Sequence, residues 1–155
     1  MPIPYGTILG STHGNVLIYA NQDDGYYQCV ELARRYWLKN FQVEIPPIPT
    51  AYDLRLLTHI YDRMKNRSIP VTFHSNVLPT IGDLVIWKPV GVMKPYGHVA
   101  VIVSVHKDYV TIVEQNMKHW TRILSMDPKT YQLSCTYKTG KVAGILTLGT
   151  HRTNA

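Results

Sequence analysis

Two residues of this chain have the types and the settings of a nucleophile and its base. Cys29 lies in YYQCVELARRYW, where a helical pattern begins, and His98 opens the apolar stretch GHVAVIVSV. A thiol becomes a nucleophile when a nearby base takes its proton, and the positive end of a helix lowers the thiol pKa further. Glu114 and Asn116, in VTIVEQN, are the candidates for a residue that holds the imidazole. The sequence therefore predicts a thiol-dependent acyl-transfer site.

Each of these residues also has a structural explanation when it is taken alone. Free cysteine is among the most buried residue types, and His98 has an alternative as a core histidine. Glu114 is harder to explain in that way, because a carboxylate in an apolar strand needs a partner such as an imidazolium. Cys135, in YQLSCTY, is expected to be a small core residue or an incidental thiol. The sequence has no CxxC or HExxH motif, so no metal site is predicted.

The elements that must position these residues are helical first and strand-like afterwards. The first 25 residues are expected to form loops with one short strand at Val16–Tyr19. Apolar residues at helical spacing predict a helix over Gln28–Asn40, with Cys29 in its first turn, and a second helix from about Tyr52 to Lys65. Six strand-like runs follow: DLVIW, HVAVIVSV, YVTIVEQ, HWTRILSM, YQLSCTY and VAGILTL. This order predicts an α+β domain whose N-terminal helices pack on an antiparallel sheet of five to six strands.

The strands that carry His98 and Glu114 are expected to form a hairpin, because a tight turn near His106–Asp108 joins them. If that turn holds three residues, His98 faces Asn116 across the hairpin and Glu114 is its diagonal neighbour. Residues two apart share one face of a strand, so the three polar side chains would point together. A turn one residue longer or shorter would place them on opposite faces.

The composition fits a soluble globular domain. The chain has 155 residues, of which 45% are hydrophobic and 17% charged. No apolar run approaches the roughly 20 residues of a membrane-spanning helix. The net charge of +6 raises nucleic acid and anionic polymers as partners, but the cations are scattered, which favours a solvated basic surface. No secretory signal is recognisable, so cytoplasmic residence is predicted, with signal-independent export left open. We expect one monomeric domain over residues 1–155 that binds neither nucleic acid nor membranes.

The order of QCVELARR, IGDLVIW, GHVAVIVSV and VEQN resembles the CHAP domain, the cysteine- and histidine-dependent amidohydrolase/peptidase family. GNVLIYAN, WTRIL and AGIL are similar to the amidase domain of glutathionylspermidine synthetase/amidase and of trypanothione synthetase. The resemblance runs from about Gly6 to Leu148. It implies a compact papain-like (NlpC/CHAP-type) fold and a reaction that needs neither a metal nor an organic cofactor.

The resemblance also implies roles for the candidate residues. Cys29 would be the nucleophile, His98 the general base and later the acid for the leaving amine, and Glu114 the group that orients His98, with Asn116 in support. The resemblance leaves open whether Glu114 or Asn116 dominates that orientation. The Cys29 backbone N–H is a natural oxyanion donor. The second donor would come from Gln28 or from the loop before it.

A substrate-binding arginine is implied as well. Arg34 falls where the amidase subgroup has an arginine that contacts the substrate, suited to a carboxylate of glutathione through a bidentate pair. A solvated helix flank is the alternative for Arg34. The chain departs from the subgroup between IYAN and QCVE, where only QDDGYY is present, so one wall of the substrate site is expected to be shorter.

The implied function is hydrolysis of an amide through a thioester on Cys29. Glutathionylspermidine is the leading substrate, with glutathione and spermidine as products. No ATP-dependent synthetase half accompanies this sequence, so we expect hydrolysis only. A peptidoglycan amidase or endopeptidase, from a phage lysin or an antibacterial effector, is the alternative enzyme. A non-catalytic CHAP-derived binding module is the alternative of another class.

Overall fold

The computed structural model describes residues 3–12, 14–21, 28–134 and 140–149. Its strands are β1 (Ile8–Ser11), β2 (Leu17–Tyr19), β3 (Val43–Glu44), β4 (His59–Asp62), β5 (Arg67–His74), β6 (Leu84–Trp87), β7 (His98–Val105), β8 (Tyr109–Val113), β9 (Thr121–Met126), β10 (Leu133–Ser134) and β11 (Val142–Leu148). Helix α1 spans Cys29–Phe41, and two short 3₁₀ helices span Ala51–Leu56 and Gly91–Met93. Within the described ranges, no helix has the length and apolar character that a bilayer crossing requires.

One antiparallel sheet of nine strands dominates the fold. Its strand order is β10-β9-β8-β7-β6-β11-β5-β4-β3, and β1 pairs with β2 in a separate hairpin. The strand that begins with His98, β7, lies between β6 and β8. At one end β10 also contacts β11, so this part of the sheet curls on itself.

The predicted packing of helices on a five- to six-stranded sheet is wrong, because the second helix does not form. The structure has a 3₁₀ helix and then β4 where that helix was expected. The chain turns back after Asp62, whose Oδ1 accepts hydrogen bonds from the backbone N–H groups of Met64 and Lys65 at 2.9 and 3.1 Å. Asn66 completes the turn with a φ of 50°. An aspartate that satisfies nearby backbone N–H groups favours a turn over a helix.

Burial in this region follows a strand pattern. Ile60 is buried in β4 while its neighbour Tyr61 is exposed, and the side chain of Met64 in the turn is 78% exposed. The apolar residues at helical spacing therefore do not share a core-facing side. The proline and serine near Pro70 predict a loop, whereas the structure has β5 there. These additional strands extend the sheet beyond the predicted size.

The six predicted strands all correspond to strands of the large sheet, from β6 to β11. The HVAVIVSV run matches β7 from end to end. The short strand expected near Val16–Tyr19 is β2, and β1 pairs with it. The YQLSCTY run is described only as far as β10 and its first residues, and the expectation for Cys135 lies outside the described residues.

The central strands are buried on both faces, which explains their continuous apolar sequences. On one face, α1 packs against β6, β7 and β8 through a core that includes Leu32, Ala33, Tyr36, Trp37, Leu84, Ile86, Val99, Val101 and Val113. On the other face, the curled strands enclose a second core that includes Val85, Trp87, Ala100, Ile102, Ile112, Leu124 and Ile145. Helix α1 is thus fixed over the sheet next to the start of β7.

The β7–β8 hairpin has the predicted register near the site, but its turn is not the predicted one. Val105 pairs with Val110, and the His106 N–H donates to the Tyr109 carbonyl at 2.9 Å, so the loop is one residue longer than expected. A β-bulge at Val103 inserts a compensating residue in β7. Beyond the bulge the strands pair as a three-residue turn would have required, for example Val101 with Val113.

The strand pairing stops at Val113, and the predicted pairing of His98 with Asn116 does not form. Instead the Glu114 N–H donates to the Trp120 carbonyl at 2.9 Å. Asn116 is exposed and has a φ of 64°, a left-handed conformation that asparagine tolerates. The chain leaves the strand geometry between Glu114 and Asn116.

Candidate active site

The first residue of helix α1 is Cys29, in agreement with the predicted helix to within one residue at each end. Gln28 is the N-cap, with an extended backbone at φ −83° and ψ 177°. The N–H groups of the first helical turn have no partner inside the helix, and they give this end a partial positive charge. The thiol of Cys29 is only partly exposed and lies in that positive field.

The thiol of Cys29 lies next to the imidazole of His98, close enough for each group to shift the pKa of the other. His98 is the first residue of β7 and is 3% exposed. Its Nε2 lies 2.7 Å from Oε1 of Glu114, which leaves Nδ1 as the ring nitrogen for the thiol. Gly97 precedes it with a φ of 75°, at a point where a Cβ would lie 2.6 Å from the Trp87 carbonyl oxygen. The structure therefore brings three of the predicted residues, Cys29, His98 and Glu114, into one contact chain.

Glu114 has a second cationic partner that the sequence interpretation missed. Arg122, on β9, donates from Nε to Oε2 at 2.5 Å and from Nη2 to Oε1 at 3.1 Å. Glu114 is fully buried, and the Arg122 side chain is 9% exposed. The guanidinium also lies 5.2 Å from the ring centroid of Trp87, whose ring centroid is 5.1 Å from that of His98. The Glu114 carboxylate therefore lies between the cationic groups of His98 and Arg122, and the Trp87 ring packs near both of these groups.

The electrostatics of the contact chain favour a thiolate–imidazolium pair. Burial alone raises the pKa of the Cys29 thiol, but the hydrogen bond and charge of His98, with the N–H groups of Val99 and Val30, outweigh it and lower that pKa below 9.0. Burial likewise opposes the charged form of His98, but Cys29 and Glu114 raise its pKa to about 9. Near neutral pH His98 is therefore an imidazolium, and its charge favours the thiolate form of Cys29.

The pKa of Glu114 is also set by competing causes. Burial raises it, and the hydrogen bonds and charges of His98 and Arg122 outweigh that effect and lower it below the usual 4.5. Glu114 is therefore a carboxylate at neutral pH. A permanent negative charge next to Nε2 stabilises the imidazolium.

A second buried residue that the sequence interpretation missed is Gln115, which is 1% exposed. Its Oε1 accepts hydrogen bonds from the Tyr19 N–H at 2.9 Å and from Arg35 Nη2 at 3.1 Å. Its Nε2 donates to the Gln28 carbonyl at 3.1 Å and to Glu31 Oε1 at 2.9 Å. Gln115 therefore ties β2 and the first turn of α1 to the end of β8.

A cleft of about 850 Å³ opens over the thiol. Cys29 and His98 line it, together with Gln28, Arg34 and Asn116. The Gln28 side chain makes no capping hydrogen bond to the helix and is exposed. Asn116 thus lies at the cleft and not in the hydrogen bond to His98 Nε2, which Glu114 makes. All six predicted site residues are accordingly at or next to this cleft.

The guanidinium of Arg34 uses some of its hydrogen-bond donors within the protein and leaves others available. Its Nε donates to the Ile45 carbonyl and its Nη2 to the Pro46 carbonyl, both at 3.2 Å. Among the residues that the structure describes, no hydrogen bond is recorded for Nη1. Two carbonyls therefore fix the plane of a guanidinium whose remaining donor group is available at the cleft wall.

The two missed residues had weak signals in the sequence. Arg122 interrupts the otherwise strand-like WTRILSM, and it pairs across β8 and β9 with Ile112, two residues before Glu114. Gln115 stands between Glu114 and Asn116 in VEQN, and nothing local distinguishes it from a surface amide. Gln115 makes its contacts with residues 80 to 96 positions earlier in the chain, whereas Arg122 reaches Glu114, 8 positions earlier, across the β8–β9 pairing.

Comparison with known proteins places the chain in a family. The CHAP domain matches residues 20–116 of 155. The bifunctional glutathionylspermidine synthetase/amidase of Escherichia coli (strain K12) is 31% identical over 157 aligned positions, which cover 79% of this chain and 25% of that protein. The trypanothione synthetase of Crithidia fasciculata is 28% identical over 135 positions, covering 75% of this chain and 21% of that protein. The chain spans about a quarter of the length of these relatives. From the family match, which includes both Cys29 and His98, we conclude that the chain belongs to the CHAP domain family.

Proposed function

We propose that the chain is a cysteine amidohydrolase and that residues 1–155 act as a single CHAP-like amidase domain. The observation that carries this proposal is the contact chain from Cys29 through His98 to Glu114 at the floor of the cleft. Membership of the CHAP family and similarity to proteins named as amidases support the same class. Cytoplasmic residence and a monomeric state stay predictions.

The proposed reaction is a two-step acyl transfer. The Cys29 thiolate attacks the amide carbonyl carbon, and the electron pair of the C=O bond moves to the oxygen. When the tetrahedral intermediate collapses, the C–N bond breaks and the His98 imidazolium protonates the departing amine. A water then attacks the thioester while His98 takes its proton, which releases the acid and regenerates the Cys29 thiolate beside the His98 imidazolium. Glu114 keeps the imidazole oriented through Nε2 throughout.

The leading substrate is a glutathionylspermidine-like amide, whose hydrolysis releases glutathione and spermidine. The names of the relatives motivate this choice. Arg34 supports it, because the free Nη1 group of an immobilised guanidinium suits a carboxylate such as that of the glutamyl residue of glutathione. No metal or organic cofactor enters the proposed reaction.

A peptidoglycan stem peptide is the second candidate substrate. Arg34 and the exposed Lys94 both line the cleft, and the chain carries a net charge of +6, a combination that favours an anionic wall polymer. Lys94 is also expected to disfavour a polyamine leaving group if that group extends along its wall of the cleft. Lys94 is therefore expected to favour the peptidoglycan substrate and to disfavour glutathionylspermidine.

A paired assay separates these candidates. The chain is incubated with glutathionylspermidine and, separately, with purified peptidoglycan, with Cys29→Ala as the matched control. Release of spermidine by the wild type and not by Cys29→Ala supports the leading substrate. If new amine groups or solubilised wall fragments appear and no spermidine is released, peptidoglycan becomes the proposed substrate.

A separate measurement tests the activated thiol without any substrate. Iodoacetamide should alkylate Cys29 at pH 6 faster than it alkylates a model thiol, because the thiol pKa is lowered. The modified cysteine is identified by peptide mass spectrometry, since Cys135 is a second thiol. Alkylation at the rate of a model thiol would refute the thiolate–imidazolium pair and favour a binding module.

A further inference from the structure

The buried amide of Gln115 can adopt only one orientation in its surroundings. Its oxygen is next to two donors, the Tyr19 N–H and the Arg35 guanidinium, and its nitrogen is next to two acceptors, the Gln28 carbonyl and the Glu31 carboxylate. An amide flip would place like groups together at all four contacts. The hydrogen bond from Nε2 to the Gln28 carbonyl is therefore a fixed part of the site.

That hydrogen bond also determines where the Cys29 N–H points. The Gln28 carbonyl and the Cys29 N–H belong to one peptide group, which is trans and planar. In such a group the C=O and N–H bonds point in opposite directions, so the carbonyl that faces Gln115 directs the N–H away from it. Gln28 and Cys29 both line the cleft, and the first N–H of a helix has no partner within it.

We propose that Gln115 is a positioning residue for the oxyanion site, an inference that rests on the proposed acyl transfer. In the first step the Cys29 Sγ–C bond forms, and the negative charge that develops on the substrate oxygen is stabilised by the Cys29 N–H. Gln115 is not among the described residues that line the cleft, and its side-chain hydrogen bonds go to Tyr19, Arg35, Gln28 and Glu31. It acts by holding the Gln28–Cys29 peptide group in the one orientation that presents this donor.

The proposal predicts different effects on two reactions of the Cys29 thiol, acylation and alkylation. Acylation by an ester or amide passes through a tetrahedral oxyanion, whereas alkylation by iodoacetamide is a direct displacement at carbon that forms none. Loss of Gln115 should therefore slow acylation of Cys29 and leave its alkylation unchanged. A role of Gln115 in thiolate formation would slow both reactions by the same factor.

The experiment uses p-nitrophenyl acetate and iodoacetamide on the wild type, Gln115→Met and Gln115→Glu. Methionine keeps the approximate length without hydrogen bonds, and glutamate keeps the shape but replaces the donor with an oxygen that repels the Gln28 carbonyl. We expect acylation of Cys29 to slow by ~10-fold or more in either variant. Mass spectrometry of the Cys29 peptide excludes acetylation elsewhere.

A control variant separates a loss of stability from the proposed effect. Thr147→Val removes a buried hydroxyl on β11, away from the cleft, and shows what a loss of stability alone does to the two rates. Equal slowing of acylation and alkylation, or unchanged acylation in whichever Gln115 variant folds, would overturn the proposal. Because neither reagent is the natural substrate, a failure of both amide substrates with the wild type refutes the proposed function and not this inference.

Discussion

Arg122 donates hydrogen bonds to both carboxylate oxygens of Glu114, from a position on the neighbouring strand β9. The pair is buried, so the carboxylate depends on this guanidinium to offset the cost of its desolvation. His98 is the other partner of the same carboxylate, on the side of the thiol. The acidic member of the site is thus stabilised by a residue on β9, a strand that carries neither the nucleophile nor its base.

Replacement of Arg122 by methionine should therefore destabilise the protein. The buried carboxylate would lose two hydrogen bonds and an opposite charge, and we expect the free energy of unfolding to fall by about 3 kcal/mol. Urea denaturation measures this value. Arg122→Lys should lose less, because it keeps the charge. Arg67→Met, at an exposed position of β5, is the control and should change little; an equally small change in Arg122→Met would contradict the prediction.

Glu114→Gln should shift the pH dependence of the site. The pKa of His98 is raised to about 9 in part by the Glu114 charge, so kcat/KM should fall on the alkaline side near that pH as the imidazolium is lost. Without the charge the imidazolium is less stable, its pKa falls, and the alkaline limb moves toward neutral pH. Histidine-selective NMR titration of both proteins measures the same pKa directly. An unmoved titration in Glu114→Gln would refute the role of Glu114.

Gly97→Ala should impair the site by steric conflict, and the chain supplies a matched control. Both Gly97 and Gly149 have positive φ values, 75° and 94°, so alanine is strained at either position. Only at Gly97 would the new Cβ meet another group, 2.6 Å from the Trp87 carbonyl oxygen and 3.0 Å from the Tyr52 Cβ. We expect Gly97→Ala to lower the melting temperature more than Gly149→Ala does, and to slow alkylation of Cys29 because His98 follows directly.

Arg34→Gln should weaken substrate binding more than it slows the chemistry. If Nη1 binds a substrate carboxylate, its loss raises KM with kcat nearly unchanged, by an amount on the order of 10-fold. Steady-state kinetics on the substrate found by the paired assay measures this split. Lys39→Gln, at the exposed end of the same helix, is the charge-matched control. A drop in stability with unchanged KM would mean that Arg34 serves only to hold the Ile45 and Pro46 carbonyls.

The parts of this molecule that sequence could predict are those that depend on local patterns. Helix α1 and strands β6–β11 follow from periodicity. His98 and Glu114 do lie together, but only because the bulge at Val103 offsets a loop that is one residue longer than predicted. The region of β4 and β5 could not be predicted in this way, because its spacing suits a helix until Asp62 and Asn66 turn the chain back. The strand-rich fold was missed for that reason.

The missed site residues depend on tertiary contacts, which for Gln115 join distant segments of the chain. Gln115 reaches Tyr19, 96 residues earlier in the chain, and Arg35, 80 residues earlier. Arg122 reaches Glu114 only because β9 pairs with β8 in one particular register. No local rule distinguishes these side chains from surface residues. They become recognisable only once the sheet and helix α1 are placed together.

The bulge at Val103 has a consequence for how this hairpin tolerates change. Alternate residues of a strand face opposite sides of the sheet. Whether His98 and Glu114 point to the same side therefore depends on whether the number of residues between them in the hairpin is odd or even. The loop at His106–Tyr109 and the bulge each add a residue, and together they preserve this parity. A change in loop length that is matched by the gain or loss of a bulge therefore keeps His98 and Glu114 on the same side of the sheet. Either change alone would place them on opposite sides.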